Sequence, residues 1–303
     1  MRRAKNLKWA LVLSGGGAKG FAHVGFLKAL RDLDFPEPSL VAGTSMGAIV
    51  GGVYASGMSV AELADFTENH FDITDYLDSF AFKINGPVGR FLQAGQLLGS
   101  LAAKPALDGG GQLLALFRQL TGNRNIEDFR IPFRCNAADL VSGKEMVFDS
   151  GNAALAIRAS MSFPVFFEPV RMGKMLLADG GFVDNMPIHI ARELGYTRIL
   201  AVDVGGFRTL PASEFAAAPR IVYRCLEIAL NAMNRRGYDI QGSLVIAAGN
   251  RATPLDFNRK MEFIRLGEEA AKRERKALDA FFGIGPTAFF MRRARAGKPA
   301  STR

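Results

Sequence analysis

Residues 40–47 read Leu-Val-Ala-Gly-Thr-Ser-Met-Gly. Leu40–Ala42 is a short apolar run of strand type, and a helix rich in small residues is predicted from about Met46 to Ala55. Gly43-Thr-Ser-Met-Gly47 therefore sits on a strand–turn–helix, the context a nucleophile elbow requires. A sharp turn there pushes a serine hydroxyl out of the sheet, and Gly43 and Gly47 leave room where backbone segments come close. In a chain with 33 glycines the five-residue pattern alone arises easily by chance, so its surroundings decide its weight.

One strand–helix unit upstream, Trp9–Leu13 reads as a buried strand. Ser14-Gly-Gly-Gly-Ala-Lys-Gly20 follows as a loop, and apolar positions at Ala22, Phe26, Ala29, Leu30 and Leu33 mark a helix. A dinucleotide site would need an acidic residue at the end of the next strand, but Asp32 and Asp34 fall at a helix end before Pro36 and Pro38. A phosphate-binding P-loop would need Ser or Thr after Gly-Lys, where Gly20 stands. The remaining chemical reading is an oxyanion hole: consecutive glycines at a helix N-terminus expose amide N–H groups. A plain tight turn stays open beside it.

Downstream, Ser59 and Glu62 form a capping box for the next helix. Residues 80–111 hold seven glycines and isolated apolar residues such as Phe80, Phe82, Phe91, Leu97 and Leu101, and are expected to be a mobile lid or an ordinary long loop. Strands are predicted at Ile131–Asp139, Glu145–Phe148, Lys174–Ala178, Arg198–Val204 and Ser243–Ala247. Helices are predicted at 152–160, just before Gly195, at about 217–234 and, long and charged, at about 258–281. Strands alternating with helices argue for a three-layer α/β domain with a mainly parallel sheet.

Apolar types make up 49% of the 303 residues and charged types 22%, an ordinary globular balance. No run approaches the roughly 18 apolar residues of a membrane span, and Trp9–Leu13 is too short for a secretory h-region. Cys135 and Cys225 fit a reducing compartment, so a cytoplasmic protein, free or peripheral to a membrane, is the expectation. The net charge of +9 resides at the ends: Arg2, Arg3, Lys5 and Lys8, and Arg292, Arg293, Arg295, Lys298 and Arg303. Nucleic-acid binding would place cations on a folded face. Basic tails on a neutral body suit solubility or an anionic lipid surface.

A reactive serine needs a base. Ser45–Asp179–His189 has the chain order of a hydrolase triad, but His189 lies ten residues past Asp179 in a predicted helix. His23 reads as a packed or loop-orienting side chain and His70 as a helix-end residue. Asp179, at a strand end before Gly180 and Gly181, is the better base, with Asp203 and Asp184 as rivals. Desolvation would raise its pKa toward a useful range.

Taken in order, Gly15–Gly20, Gly43–Gly47 and Asp179–Gly181 resemble the three signature blocks of the patatin-like phospholipases. Arg158-Ala-Ser-Met-Ser-Phe-Pro164 and Asn185-Met-Pro187 resemble the blocks between and after them, and the likeness spans about residues 9–205. The resemblance implies a patatin-like, modified α/β-hydrolase-like fold, with 206–285 completing the same domain and 1–8 and 286–303 as basic tails. It implies Ser45 as nucleophile, Asp179 as base, and the amides of Gly15, Gly16 and Gly17 as oxyanion hole. Lys19, Gly20, Gly43, Gly47, Gly180 and Gly181 would be supporting motif residues. It further implies lipid or other acyl-ester substrates and no metal or cofactor. A soluble carboxylesterase or thioesterase, and a non-catalytic membrane-surface regulator on the same fold, are the alternatives. Lys19 is expected on the loop as a solvated cation or as an aid near an anionic head group.

Overall fold

The structure is a computed structural model and describes residues 7–76, 106–206, 209–216, 218–237, 243–250, 252 and 254–284. In chain order the first half runs β1 (Ala10–Leu13), α1 (Phe21–Asp32), β2 (Leu40–Gly43), α2 (Met46–Ser56), α3 (Val60–Asp65), β3 (Ala106–Asp108) and α4 (Gly111–Leu120). It continues with β4 (Phe133–Asp139), β5 (Glu145–Phe148), α5 (Ala153–Ser160), β6 (Val165–Phe167), β7 (Val170–Met172) and β8 (Met175–Asp179). The chain then forms α6 (Ile188–Glu193), β9 (Ile199–Asp203), α7 (Ala218–Gly237), β10 (Ser243–Ala247), α8 (Lys260–Arg273) and α9 (Arg275–Phe282).

Five strands, β10-β9-β1-β2-β4, pair in parallel. β5 and β8 add to β4 antiparallel, and β7 adds antiparallel to β8. The alternation of side chains along the buried strands divides the core. Leu11, Leu13, Val41, Leu200 and Val202 face the larger apolar cluster, which α1, α2, α5 and α8 cover. Ala10, Val12, Leu40, Ala42 and Ala201 face a smaller one closed by Ile188 and Ile190 of α6. This is the three-layer α/β arrangement expected, with an antiparallel margin and a separate β3–β6 pair that periodicity did not reveal.

The capping box at Ser59 is present: its Oγ accepts from the Glu62 amide at 3.2 Å, and Glu62 Oε2 accepts from the Ser59 amide at 2.9 Å. The long charged helix predicted at 258–281 is two helices, broken at Glu274. Beyond the break, Phe282 of α9 packs against Trp9 and Phe35 at 5.1 and 4.7 Å between ring centroids. α8 lies against α1 in backbone contact, because a Cβ at Gly25 would strike the Ile264 carbonyl and one at Gly267 the Ala22 carbonyl. Of the predicted lid, 106–111 forms β3 and the start of α4. The rest, including Phe80 to Leu101, lies outside the described residues, as do tail residues 1–6 and 285–303.

Candidate active site

The site forms where two strands end against one edge of β4. Gly43 of β2 registers with Cys135, and Asp179 of β8 with Ala137, two residues further along. β5 pairs with Cys135–Ala138 and so occupies the other edge. β2 and β8 therefore approach each other end to end, and their C-termini deliver Ser45 and Asp179 to the same place.

Ser45 has φ 54° and ψ −121°, a left-handed conformation that few L-residues adopt. It is held there by neighbours. A Cβ at Gly43 would strike the Gly47 carbonyl, and one at Gly47 the Leu13 carbonyl, so the turn closes tightly only with glycine at both positions. The Ser45 amide donates to Ser160 Oγ at the end of α5, 2.9 Å away. The Ser45 hydroxyl donates to Asp179 Oδ2 at 2.7 Å, while Asp179 Oδ1 accepts from the Gly181 amide at 2.8 Å. Asp179 is buried, and burial pushes its pKa up to about 6 against the opposing pull of the Ser45 and Gly181 donors. A desolvated carboxylate in contact with a serine hydroxyl can act as its proton acceptor near neutral pH.

The glycine loop packs beside this pair: a Cβ built on Gly15 would lie 3.2 Å from Ser45 Cβ. Asn185 clamps Gly15 from both sides, accepting from its amide at 3.0 Å and donating Nδ2 to its carbonyl at 3.3 Å. The amides of Gly16 and Gly17 have no acceptor among the described residues, and a 3-10 turn, Gly17–Gly20, leads from them into α1. Lys19 does not fit the solvated-cation reading. It is 6% exposed, and burial lowers its pKa against the fields of Asp203 and Glu227.

The three histidines sort clearly. His23 is fully buried, its Nε2–H donating to the Ser14 carbonyl at 2.8 Å, and burial drives its pKa down to about 4, so it is a neutral loop-holding group. His70 lies exposed beside Asp65. His189 bridges Asp184 Oδ2 through Nδ1 at 2.8 Å and Glu145 Oε2 through Nε2 at 3.0 Å. The two carboxylates push its pKa up to about 10, which makes it an imidazolium and no proton acceptor for a serine. Its bridge is part of a network behind the elbow. Asn136 Nδ2 donates to Glu145 Oε1 and to the Asp184 carbonyl, each at 2.8 Å, and Asn136 Oδ1 accepts from Thr44 Oγ1 at 2.7 Å. Of the rival carboxylates, Asp184 is thus engaged by His189, and Asp203 accepts from the Gly205 amide at 2.7 Å.

Two features were not legible beforehand. Ser160 falls inside the quoted 158–164 segment, but its partner is 115 residues away. Arg158, in the same segment, is 3% exposed and donates to the carbonyls of Gly109, Gly110 and Glu168 and to Ser162 Oγ, tying β3, α4 and β6 to the end of α5. A cavity of about 80 Å³ opens among Phe21, Met46, Ile49, Phe117, Met161 and Phe167. Met46 and Met161 directly follow Ser45 and Ser160, which brings this apolar space beside the elbow. Among the described residues, no three His, Cys, Asp or Glu side chains are arranged to hold a metal ion.

A family model described as Patatin-like phospholipase matches residues 11–192, more than half of the chain. An uncharacterized NTE family protein of Mycobacterium tuberculosis is 31% identical over 214 residues, covering 71% of this chain and 54% of the relative. Lysophospholipase NTE1 of Candida albicans is 29% identical over 195 residues, 64% of this chain and 13% of the relative. The chain thus spans about half the length, or less, of the curated relatives it matches. Among solved structures, VipD from Legionella pneumophila aligns with a TM-score of 0.49 at 18% identity, covering 88% of this chain and 66% of that one. ExoU of Pseudomonas aeruginosa, in complex with SpcU, aligns with a TM-score of 0.46 at 18% identity, covering 92% and 53%.

Proposed function

Because the chain belongs to the patatin-like phospholipase family, we propose that it is a serine lipid acyl hydrolase of the phospholipase A or lysophospholipase type. The observation that carries the reading is the 2.7 Å hydrogen bond from Ser45 Oγ to a buried Asp179. Ser45 Oγ attacks the ester carbonyl as Asp179 takes its proton. Asp179 returns that proton to the departing alcohol, leaving an acyl-serine. Water, deprotonated by Asp179, then attacks the acyl carbon; the bond from that carbon to Ser45 Oγ breaks, Asp179 returns the proton to Ser45 Oγ, and the fatty acid leaves. The amides of Gly16 and Gly17 face the oxyanion, each worth about 10²–10³ in turnover. Gly15, anchored by Asn185, sets the loop against Ser45. The apolar cavity beside Met46 receives the start of the acyl chain.

The test is labelling with a fluorophosphonate, wild type beside Ser45→Ala, with mass mapping of the adduct. A phosphonyl group on Ser45, absent from the variant, is expected. A folded wild-type protein that takes up no probe, with or without lipid micelles, would overturn the reading.

A further inference from the structure

α7 turns its apolar side outward. Ile221, Val222, Cys225, Ile228, Ala229 and Ala232 are all exposed, and their spacing places them on one stripe of a 3.6-residue helix. The large members are open to solvent to an unusual degree: Ile221 is 45%, Val222 68% and Ile228 49% exposed. Among the helix's described side chains, none joins either apolar core cluster. A groove of about 460 Å³ lies on the same side, lined by Leu210, Phe215, Ile221, Cys225 and Ile228 with Thr209 and Arg224. An apolar stripe this long on a surface helix marks a docking face.

The charge on the helix says what docks. By sequence the helix carries four arginines, at 220, 224, 235 and 236, and one acid, Glu227, which Arg224 pairs at 3.0 Å. A helix with an apolar stripe, an excess of arginine and low mean hydropathy lies in a lipid interface; no described helix is long and apolar enough to cross a bilayer. The charge of Glu227 also acts on the buried Lys19 of the glycine loop, which puts this part of α7 within electrostatic reach of that loop.

We infer that α7 is an interfacial docking helix that seats the protein on an anionic phospholipid surface, with Ile221, Val222, Cys225 and Ile228 entering the acyl boundary and the net positive charge of the helix drawn to the lipid phosphates. The inference takes its biological sense from the lipid hydrolase reading, but its physical content, binding to lipid, stands apart from catalysis.

The chain supplies its own probe site. Of its two cysteines Cys225 is exposed on the stripe and Cys135 is buried. The full chain, labelled at Cys225 with nitrobenzoxadiazole, is mixed with vesicles of phosphatidylcholine alone or with 30% phosphatidylglycerol. A blue shift with rising intensity is expected on the anionic vesicles and a much weaker one on the neutral ones. The double variant Val222→Glu, Ile228→Glu is expected to bind anionic vesicles at least tenfold more weakly while hydrolysing a short-chain, water-dissolved ester as the wild type does. No shift on either vesicle overturns the inference. So does a shift already present without lipid, whether light scattering then reports a dimer, in which a second copy covers the stripe, or a monomer, in which the chain covers it itself. Ester hydrolysis by a protein that ignores vesicles defeats the docking helix alone. Vesicle binding by a protein that hydrolyses no ester supports the helix and defeats the hydrolase.

Discussion

Ser45 Oγ donates to Asp179 Oδ2 across 2.7 Å although 134 residues separate them in the chain. They meet because β2 and β8 end head-on against one edge of β4. The serine is held in a left-handed turn and the carboxylate is held out of water, and both constraints have measurable consequences.

The first concerns backbone strain. Ser45→Ala and Ser45→Gly both remove the hydroxyl from Asp179, so the difference between them isolates the cost of φ 54°. Glycine is expected to be the more stable of the two by about 1 kcal/mol, read from denaturant midpoints at equal slope. Both are expected to lose turnover.

The second concerns pH. Asp179 must be ionised to accept a proton, and its pKa is pushed up to about 6. kcat/KM is expected to fall about tenfold per pH unit below 6. The same shift acts on stability. The folded state holds this proton more tightly than the unfolded chain, whose aspartate has its ordinary pKa of 3.8. The stabilising contribution is therefore complete below about pH 4 and lost as pH rises through 6. Asp179→Asn is expected to be inactive yet more stable than wild type at pH 8, by about 1–3 kcal/mol.

His189 is a second group whose pKa folding raises. Its pKa is raised to about 10 by Asp184 and Glu145, so its charged bridge stabilises fully below the unfolded value of 6.5 and fades as pH rises through 10. His189→Gln is expected to cost roughly 1–3 kcal/mol at pH 6.5, with the gap to wild type narrowing by pH 10. Urea denaturation at the two pH values measures it.

Arg158 is the buried cation that binds the end of α5 to the Gly109–Gly110 turn. Arg158→Met takes the donor from the carbonyls of Gly109 and Glu168 and leaves that of Gly110 with the Leu114 amide alone, and a loss of about 1–3 kcal/mol for each orphaned carbonyl is expected. Gly110→Ala should be destabilising as well, since a Cβ there would strike the Arg158 guanidinium and φ is +67°. Thermal melts of the two variants and of their combination would test the link: the double variant is expected to cost less than the two single losses added together.

Much of this architecture is legible in the residues themselves. The strand–turn–helix at 40–56 and the strand Ser243–Ala247 stand where the local pattern puts them, as does the capping box at Ser59, because each depends on neighbours within a few positions. The single helix predicted at 258–281 is interrupted at Glu274, and the interruption is not legible because the apolar period runs on through the break and the contacts of Phe282 with Trp9 and Phe35 are far away in the chain.

The sequence by itself determined the three motif blocks and their order, the alternation of strands and helices, and a short set of carboxylates from which a partner for Ser45 could come. Only the tertiary structure set the Asp179 carboxylate, and not Asp184 or Asp203, against the Ser45 hydroxyl, found Ser160 on the Ser45 amide, buried Lys19, and turned His189 into a bridged cation. Periodicity and turn chemistry act over three or four residues and are written in the local sequence. Burial and hydrogen bonds between segments more than a hundred residues apart depend on which strands share an edge of β4, and no local spacing encodes that pairing.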